Sequence, residues 1–456
     1  MSERRRRGNG SRAQVEPGAV DLAEIDLPSE WTLAPLGSLA VGEGRYGATA
    51  PAACYDPSQP RYVRITDIDD YGRLRPESRA SIDAARAEPH RLARGDLLFA
   101  RTGGTVGKTY LYREHDGDCA HAGYLIRFTL DQARCEPAFV AYYTQSDSYW
   151  RWLQGRVREA AQPNINAAEL ASLPVPLPPL PRQRAIADIM DRYDRVISLS
   201  ERIEHRLTCA LRGLVTELLS RGIGPDGLVR DPGRDPAGFR DTALGPLPRG
   251  FEVAPLGELL AAVTPAMRSG PFGTELQKSD LSDEGVPLLG IDNVEVDRFV
   301  PSYRRFVPPA LADELSRYRV RPGDVMVTIM GTVGRACLAP RDLGPALSSK
   351  HIWVLSIDTH RYLPLLVAMQ LNFAPWVAAH FRREAQGGTM DAIRSETLRT
   401  TLVPVPPRAE QERIACALRL ARRRLRCERA TLDKRRHLRR ALLEDLMSGR
   451  AQVEQS

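Results

Sequence analysis

Residues 27–39 read LPSEWTLAPLGSL and residues 247–259 read LPRGFEVAPLGEL, identical at seven of thirteen positions and 220 residues apart. Two further segments recur in the same order. Arg94-Gly95-Asp96-Leu97-Leu98-Phe99 leads to Gly104-Thr105-Val106-Gly107-Lys108, and Pro322-Gly323-Asp324-Val325-Met326-Val327 leads to Gly331-Thr332-Val333-Gly334-Arg335. LPVPLPPLPRQRAIA (173–187) returns as TLVPVPPRAEQERIA (401–415), 228 residues on. Solenoid units are about 20–50 residues long, so a period of this size is a duplicated domain and not a stacked array.

Each copy has one plan. An aromatic, Trp31 or Phe251, follows the opening Leu-Pro. Strand-like runs come next, such as Tyr62-Val63-Arg64-Ile65 and Ile352-Trp353-Val354-Leu355. Prolines then lead into a long segment: Pro174, Pro176, Pro178, Pro179 and Pro181 in one copy, Pro404, Pro406 and Pro407 in the other. Proline suits the first turn of a helix and not its interior, so these mark helix starts. Arg182 to Ser220 holds no proline and only Gly213; Ala409 to Met447 holds neither residue. Both segments are rich in the helix formers Leu, Arg, Ala and Glu, and each predicts a helix of about 60 Å.

At alternating spacings of four and three, the first helix carries Ile186, Met190, Tyr193, Ile197, Ser200, Glu204, Leu207, Leu211, Leu214 and Leu218. The second carries Ile414, Leu418, Ala421, Leu425, Glu428, Leu432, Arg435, Arg439, Leu442 and Leu446. This is a heptad seam with a polar interruption, predicting an antiparallel coiled coil between the two helices; packing of each helix on its own domain is the simpler alternative. The polar breaks leave room for partner helices, and Arg422, Arg423, Arg424, Arg426 and Arg429 read as a solvated face. The apolar seam residues Ile186, Met190, Ile197, Leu207, Leu211, Leu214, Leu218, Ile414, Leu418, Leu425, Leu432, Leu442 and Leu446 are candidates for a subunit interface.

The net charge of +7 points to a polyanionic partner. Lys108, Lys278, Lys350 and Lys434 are the only lysines, and the remaining basic residues are Arg. The rigid guanidinium fork suits phosphate and guanine edges, although an Arg- and Ala-rich chain is also what a GC-rich genome encodes. Arg4 to Arg7 begin a basic tail with no apolar run behind it. Cys54, Cys119, Cys135, Cys209, Cys337, Cys416 and Cys427 form no CxxC pair, and His115, Cys119 and His121 lack a fourth ligand, so no metal site is expected. With no apolar run of membrane-spanning length, a cytoplasmic protein is expected.

GGTVGKT (103–109) resembles a phosphate loop, but the first glycine of that pattern would fall on Thr102, and the second copy replaces Lys-Thr with Arg335-Ala336. Each GTxG element therefore reads as a turn between strands. Neither NPP nor DPP, neither GxSxG nor HExxH occurs, so no catalytic residue is assigned.

Duplicated variable domains, proline-led long helices and paired GD…GTxG elements resemble the specificity subunit of type I restriction–modification enzymes. FRDTALGPLPRGFEVAPLGE (239–258) is similar to that family's junction before its second recognition domain. Ser269-Gly270-Pro271-Phe272-Gly273-Thr274, Tyr46-Gly47-Ala48-Thr49 and Arg64-Ile65-Thr66-Asp67-Ile68 resemble its recognition-domain openings. The resemblance covers 25–448 and implies an α+β fold: two duplicated target-recognition domains, separated by two long helices in an antiparallel coiled coil, with pseudo-twofold symmetry. The expected blocks are a disordered basic tail (1–24), recognition domain 1 (25–178), helix 1 (179–222), a linker (223–245), recognition domain 2 (246–405), helix 2 (406–448) and a C-terminal tail (449–456).

The resemblance further implies a non-catalytic DNA reader. Each domain would read half of a bipartite, asymmetric site, and the helices would set the spacer and dock partners. Those partners are double-stranded DNA, two modification (methyltransferase) subunits carrying S-adenosylmethionine, and two restriction (motor–nuclease) subunits using ATP and Mg²⁺; this chain carries no cofactor. The runner-up is the specificity subunit of another DNA methylation or restriction system with the same two-domain reader. Candidate DNA contacts, by residue chemistry, are Arg45, Tyr46, Arg64, Thr66, Arg101, Thr102, Lys108 and Asn164 in the first domain. In the second they are Ser269, Thr274, Lys278, Asn293, Thr328, Thr332, Arg335, Lys350 and Gln386.

Overall fold

A computed structural model describes residues 27–157, 163–385 and 392–451. The chain divides into two compact units, one of residues 1–200 with 431–456, the other of residues 201–430. Helix α1 (Leu180–Arg221) and helix α2 (Arg408–Met447) each cross that division. The units therefore cut across the sequence blocks: each takes part of both helices.

In the first unit the strands are β1 (Thr32–Pro35), β2 (Arg45–Tyr46), β3 (Arg61–Val63), β4 (Asp96–Ala100), β5 (Thr109–Leu111), β6 (Cys119–His121), β7 (Leu125–Thr129) and β8 (Pro174–Leu177). The second unit has their counterparts: β9 (Glu252–Pro255), β10 (Met267–Ser269), β11 (Val286–Leu289), β12 (Val325–Thr328), β13 (Ala336–Leu338), β14 (Leu347–Ser348), β15 (Ile352–Leu355) and β16 (Leu402–Val405). The pairing repeats as well. A four-stranded antiparallel sheet runs β2-β7-β4-β5 in one unit and β10-β15-β12-β13 in the other. The first and last strands of each copy pair antiparallel, β1 with β8 and β9 with β16. A parallel ladder joins β3 to β6 and β11 to β14. The duplicated text thus folds into one topology twice.

Two glycines mark close backbone crossings at equivalent places in the two copies. A Cβ on Gly47 would lie 2.3 Å from the His121 carbonyl oxygen, and one on Gly270 would lie 2.0 Å from that of Ser348. Only glycine fits there. Elsewhere the strand expectation needs adjustment. Tyr62 and Val63 are in β3, but Ile65 begins a 3₁₀ turn (Ile65–Asp67). Asp67 causes the turn, because its carboxylate accepts the Arg64 backbone N–H at 2.9 Å and ends the extended run.

The helical seam is spent inside the chain. In the first unit Ile186, Met190, Leu446 and half-buried Leu442 pack with Trp31, Phe139, Trp152 and Val175. In the second, Leu211, Leu218, Ile414, Leu418 and Leu425, flanked by Leu207 and Leu214, pack with Val327, Leu366 and Val403. Ile197 and Leu432 are buried too. These side chains form each unit's core, with Leu207, Leu214 and Leu442 at its edge.

Polar cross-links fix the helix pairing. In the first unit Asp194 pairs with Arg439 and Ser200 with Arg435, so one helix ascends as the other descends. In the second, Glu204 pairs with Arg429 at 2.8 Å, and Glu410 accepts from the Ile223 backbone N–H at 2.8 Å. Both arrangements are antiparallel. The polar middle of the seam is accordingly filled by the chain's own ion pairs and hydrogen bonds. Two arginines assigned to a solvated face are likewise engaged, Arg429 with Glu204 and the buried Arg422 with Asp297.

The stretch expected as a linker, 223–245, is folded onto the second unit. Phe239 begins a hairpin, Phe239–Thr242 with Gly245–Pro248. Phe239 is buried, and Ile223 and Leu247 join the core. Burying these apolar side chains offsets the entropy that a free linker would keep.

Candidate nucleic-acid interface

The loop after β4 brings most of the first copy's candidates together. Arg101 follows the strand directly. Its backbone N–H donates to the Tyr124 carbonyl at 3.1 Å, and its carbonyl accepts from the Ile165 N–H at 3.0 Å. Its guanidinium carbon lies 4.9 Å from the centre of the Tyr46 ring, and Nε donates to Asn164 Oδ1 at 3.4 Å. Thr102 pairs with Asn164 in an isolated antiparallel bridge. Tyr46 is exposed on β2 beside exposed Arg45. Its hydroxyl accepts from the Ala167 N–H at 3.4 Å, which anchors the far edge of the ring. Arg101, Thr102, Tyr46 and Asn164 thus form one surface.

Arg64 and Thr66 belong to a different structure. Both donate to the buried Asp67, Arg64 Nη2 at 2.8 Å and Thr66 Oγ1 at 3.3 Å. Lys108 lies past the turn, 2.6 Å from Asp70. The GTxG loop joins two antiparallel strands, β4 and β5, whereas a nucleotide-cradling loop opens a helix. Gly107 holds φ +87° there, and a Cβ would lie 2.0 Å from Leu153 Cδ2, so the glycine answers to packing.

In the second unit several candidates are committed to the framework. Asn293 is buried; its Oδ1 accepts from the Gly290 N–H at 2.9 Å, and its Nδ2 donates to the Val300 and Ser302 carbonyls at 3.0 and 2.9 Å. Thr328 is buried and bonds across its loop to Thr332 and to the Arg335 N–H. Arg335 Nη1 lies 2.8 Å from Glu295. Ser269 is buried on β10. Thr274, Lys278 and Lys350 are exposed. Gln386 lies outside the described residues.

Both units also expose apolar residues that the sequence reading passed over. Tyr124 is 63% exposed beside Arg101, and Phe272 is 57% exposed just after the Gly270 crossing. Met330 and Val333, both exposed, line a cleft of about 640 Å³ with Phe381, Arg382 and Arg394. An aromatic next to a strand reads as core by pattern, so only its exposure reveals it. Among the described residues no three His, Cys, Asp or Glu side chains are grouped as metal ligands. His121 and Cys119 are buried on β6, whereas His115 is largely exposed. No helix among the described residues is long and apolar enough to cross a membrane.

Comparison with known proteins gives a consistent picture. Residues 80–208 match the model of the type I restriction modification DNA specificity domain. The chain is 22% identical over 373 residues, 80% of either protein, to a Methanocaldococcus jannaschii protein bearing the name type I restriction enzyme MjaX specificity subunit. It is 20% identical over 312 residues to the MjaVIII specificity subunit of the same organism, covering 66% of this chain and 68% of the relative. To the Escherichia coli EcoKI specificity subunit it is 24% identical over 193 residues, 38% of this chain and 36% of the other. In fold it is similar to a type I restriction–modification S subunit structure from M. genitalium, with a TM-score of 0.51, 14% identity, and coverage of 92% of this chain and 96% of that one.

Proposed function

We infer from these matches that the chain belongs to the family of type I restriction–modification specificity subunits and supplies the DNA sequence specificity of such a system. The observation that carries the finer reading is the repeated topology with divergent loops. Two copies of one strand order, β2-β7-β4-β5 and β10-β15-β12-β13, present different side chains at equivalent places. Two readers of unlike chemistry recognise two unlike half-sites, so the target is bipartite and asymmetric, with an unread spacer set by α1 and α2.

The chain acts by binding and not by catalysis. Phosphate contacts from its arginines position the duplex, and base-edge contacts from the loops specify it. S-adenosylmethionine, ATP and Mg²⁺ belong to partner subunits, two modification subunits and two restriction subunits. The docking surface for the modification subunits lies on the outer helix faces, since the heptad seam is buried within each unit. Val196 and Leu199 on α1 and Leu420 and Leu438 on α2 are exposed there, from 44% to 66%. The complex works in the cytoplasm, where the DNA is. Co-expression of this chain with its modification subunit, in a host without DNA methylation of its own, tests the reading through a map of modified bases. A gapped motif that requires both chains supports it; methylation by the modification subunit alone overturns it.

A further inference from the structure

Resting on that reading, we propose that Arg101, stacked on Tyr46, is the guanine-reading fork of the half-site bound by the first repeat. Four observations converge. First, the backbone of Arg101 is bonded on both sides, to Tyr124 and to Ile165, so the side chain starts from a fixed point. Second, Tyr46 lies under the guanidinium, and Nε is the nitrogen that Asn164 holds. Among the described residues that leaves both terminal nitrogens, which can address O6 and N7 of guanine together. Third, among the described residues no carboxylate pairs with Arg101, whereas Arg64, Lys108 and Arg335 are paired with Asp67, Asp70 and Glu295. A cation already neutralised must surrender its partner before it reads a base; among the described residues Arg101 has no carboxylate to surrender. Fourth, exposed Tyr124 and Arg45 flank the same surface.

The choice of guanine follows from donor geometry. A guanidinium offers only donors. Guanine presents two acceptors in the major groove, while adenine presents one acceptor and one donor. The fork therefore satisfies guanine and meets adenine with a donor facing a donor.

The second repeat lacks this device. The Ile393 N–H donates to the Ile329 carbonyl at 3.2 Å, the same bond that Ile165 makes to Arg101, so Ile329 stands in the place of Arg101. Tyr46 pairs with Ile126 in the first sheet as Ser269 pairs with Trp353 in the second, so Ser269 stands in the place of Tyr46. Platform and fork are both absent there, and the guanine dependence belongs to one half-site.

The test uses the full-length chain co-expressed with its modification subunit, wild type beside Arg101→Ala and Arg101→Lys, with methylated positions mapped across the host genome. The expected result is a motif with a G·C pair in one half. In the alanine variant discrimination at that pair falls by about fivefold or more, while the other half is unchanged; lysine, lacking the fork, restores it only in part. The purified wild-type complex is also bound to duplexes carrying 7-deazaguanine at that pair, which removes N7 without altering the protein. Affinity falls for the wild type. Indifference to this change overturns the proposal even where the alanine variant fails to fold. A motif without guanine on either strand, an unchanged motif in the alanine variant, a change at an A·T pair instead, or indifference to 7-deazaguanine overturns the proposal. A wild-type complex that directs no gapped motif at all contradicts the functional reading itself, a distinct outcome.

Discussion

Asp96 in the first repeat and Asp324 in the second open equivalent strands, and both are buried. Their arginine partners come from different strands. Asp96 lies 3.6 Å from Arg127 on β7 and also accepts from the Thr129 hydroxyl at 2.5 Å. Asp324 pairs with Arg268 on β10, one strand further out, and accepts from the Ser356 hydroxyl at 2.6 Å. In register, Arg268 matches Arg45, and Val354 stands where the first repeat has Arg127. Each repeat thus places a cation against the buried Asp of its Gly-Asp turn, delivered from a different strand. The consequence reaches the surface. Arg268 is buried by this task, while Arg45, relieved of it by Arg127, is exposed beside Tyr46. One framework therefore leaves two different sets of side chains facing outward.

The helix pairs differ in the same spirit. In the second unit the ends of α1 and α2 contribute Leu211, Val215, Leu218, Leu219, Ile414 and Leu418 to an apolar core. In the first unit Arg439, 228 residues on from Leu211, pairs with Asp194 and sits 4.9 Å from the Tyr71 ring. Apolar contact is tolerant of partner, whereas a paired charge is selective. At this one equivalent place the first unit has a paired charge and the second an apolar contact.

The largest expected effect tests the Gly-Asp pair. Asp324→Ala takes the paired carboxylate from a nearly inaccessible Arg268 and should cost about 3–5 kcal/mol in urea unfolding of the second unit. Asp96→Ala should cost less, about 1–3 kcal/mol, because Arg127 lies 3.6 Å from the carboxylate and is less buried than Arg268. Equal losses would break the comparison. Next comes the helix contact. Arg439→Leu should cost about 2–4 kcal/mol by leaving Asp194 without its cation, and the further change Asp194→Leu should recover most of it. No recovery in the double variant would mean that the pair does not set the contact.

A smaller effect separates the units by pH. Burial pushes the His121 imidazole down to about 4, with the neighbouring Arg127 charge adding to the shift. In the unfolded chain it titrates near 6.5. The unfolded state then binds more protons between those values, so this contribution is full above about pH 6.5 and is lost as pH falls toward 4. On the order of 2–3 kcal/mol should disappear from the first unit in that window. Ser348 occupies the equivalent place in the second unit, so His121→Ser should remove the dependence. A variant that keeps the full acid sensitivity would assign it elsewhere. The smallest effect concerns Glu204→Gln, which should cost at most about 1 kcal/mol because its bridge to Arg429 is partly exposed.

Much of this architecture was legible from patterns that one physical rule governs. The absence of proline located α1 and α2 to within two residues, Leu180–Arg221 against 182–220 and Arg408–Met447 against 409–447. The repeat gave the duplicated fold. What pattern left hidden depends on partners distant in sequence. Arg429 looks solvent-facing on a helical wheel until Glu204 comes beside it, 225 residues away. The segment 223–245 looks like a linker because it is short and rich in glycine and proline, although Ile223 and Phe239 are buried. For the interface, residue chemistry drew in Arg64, Arg101, Lys108 and Arg335 alike. Among the described residues, only the positions of Asp67, Asp70 and Glu295 distinguish the three that are paired with a carboxylate from Arg101.

The most direct test of two readers on one frame is the map of modified bases in a methylation-free host expressing this chain with its modification subunit. One gapped motif with two different halves, present only when both chains are made, is the expected result. A contiguous motif, or two identical halves, would contradict it.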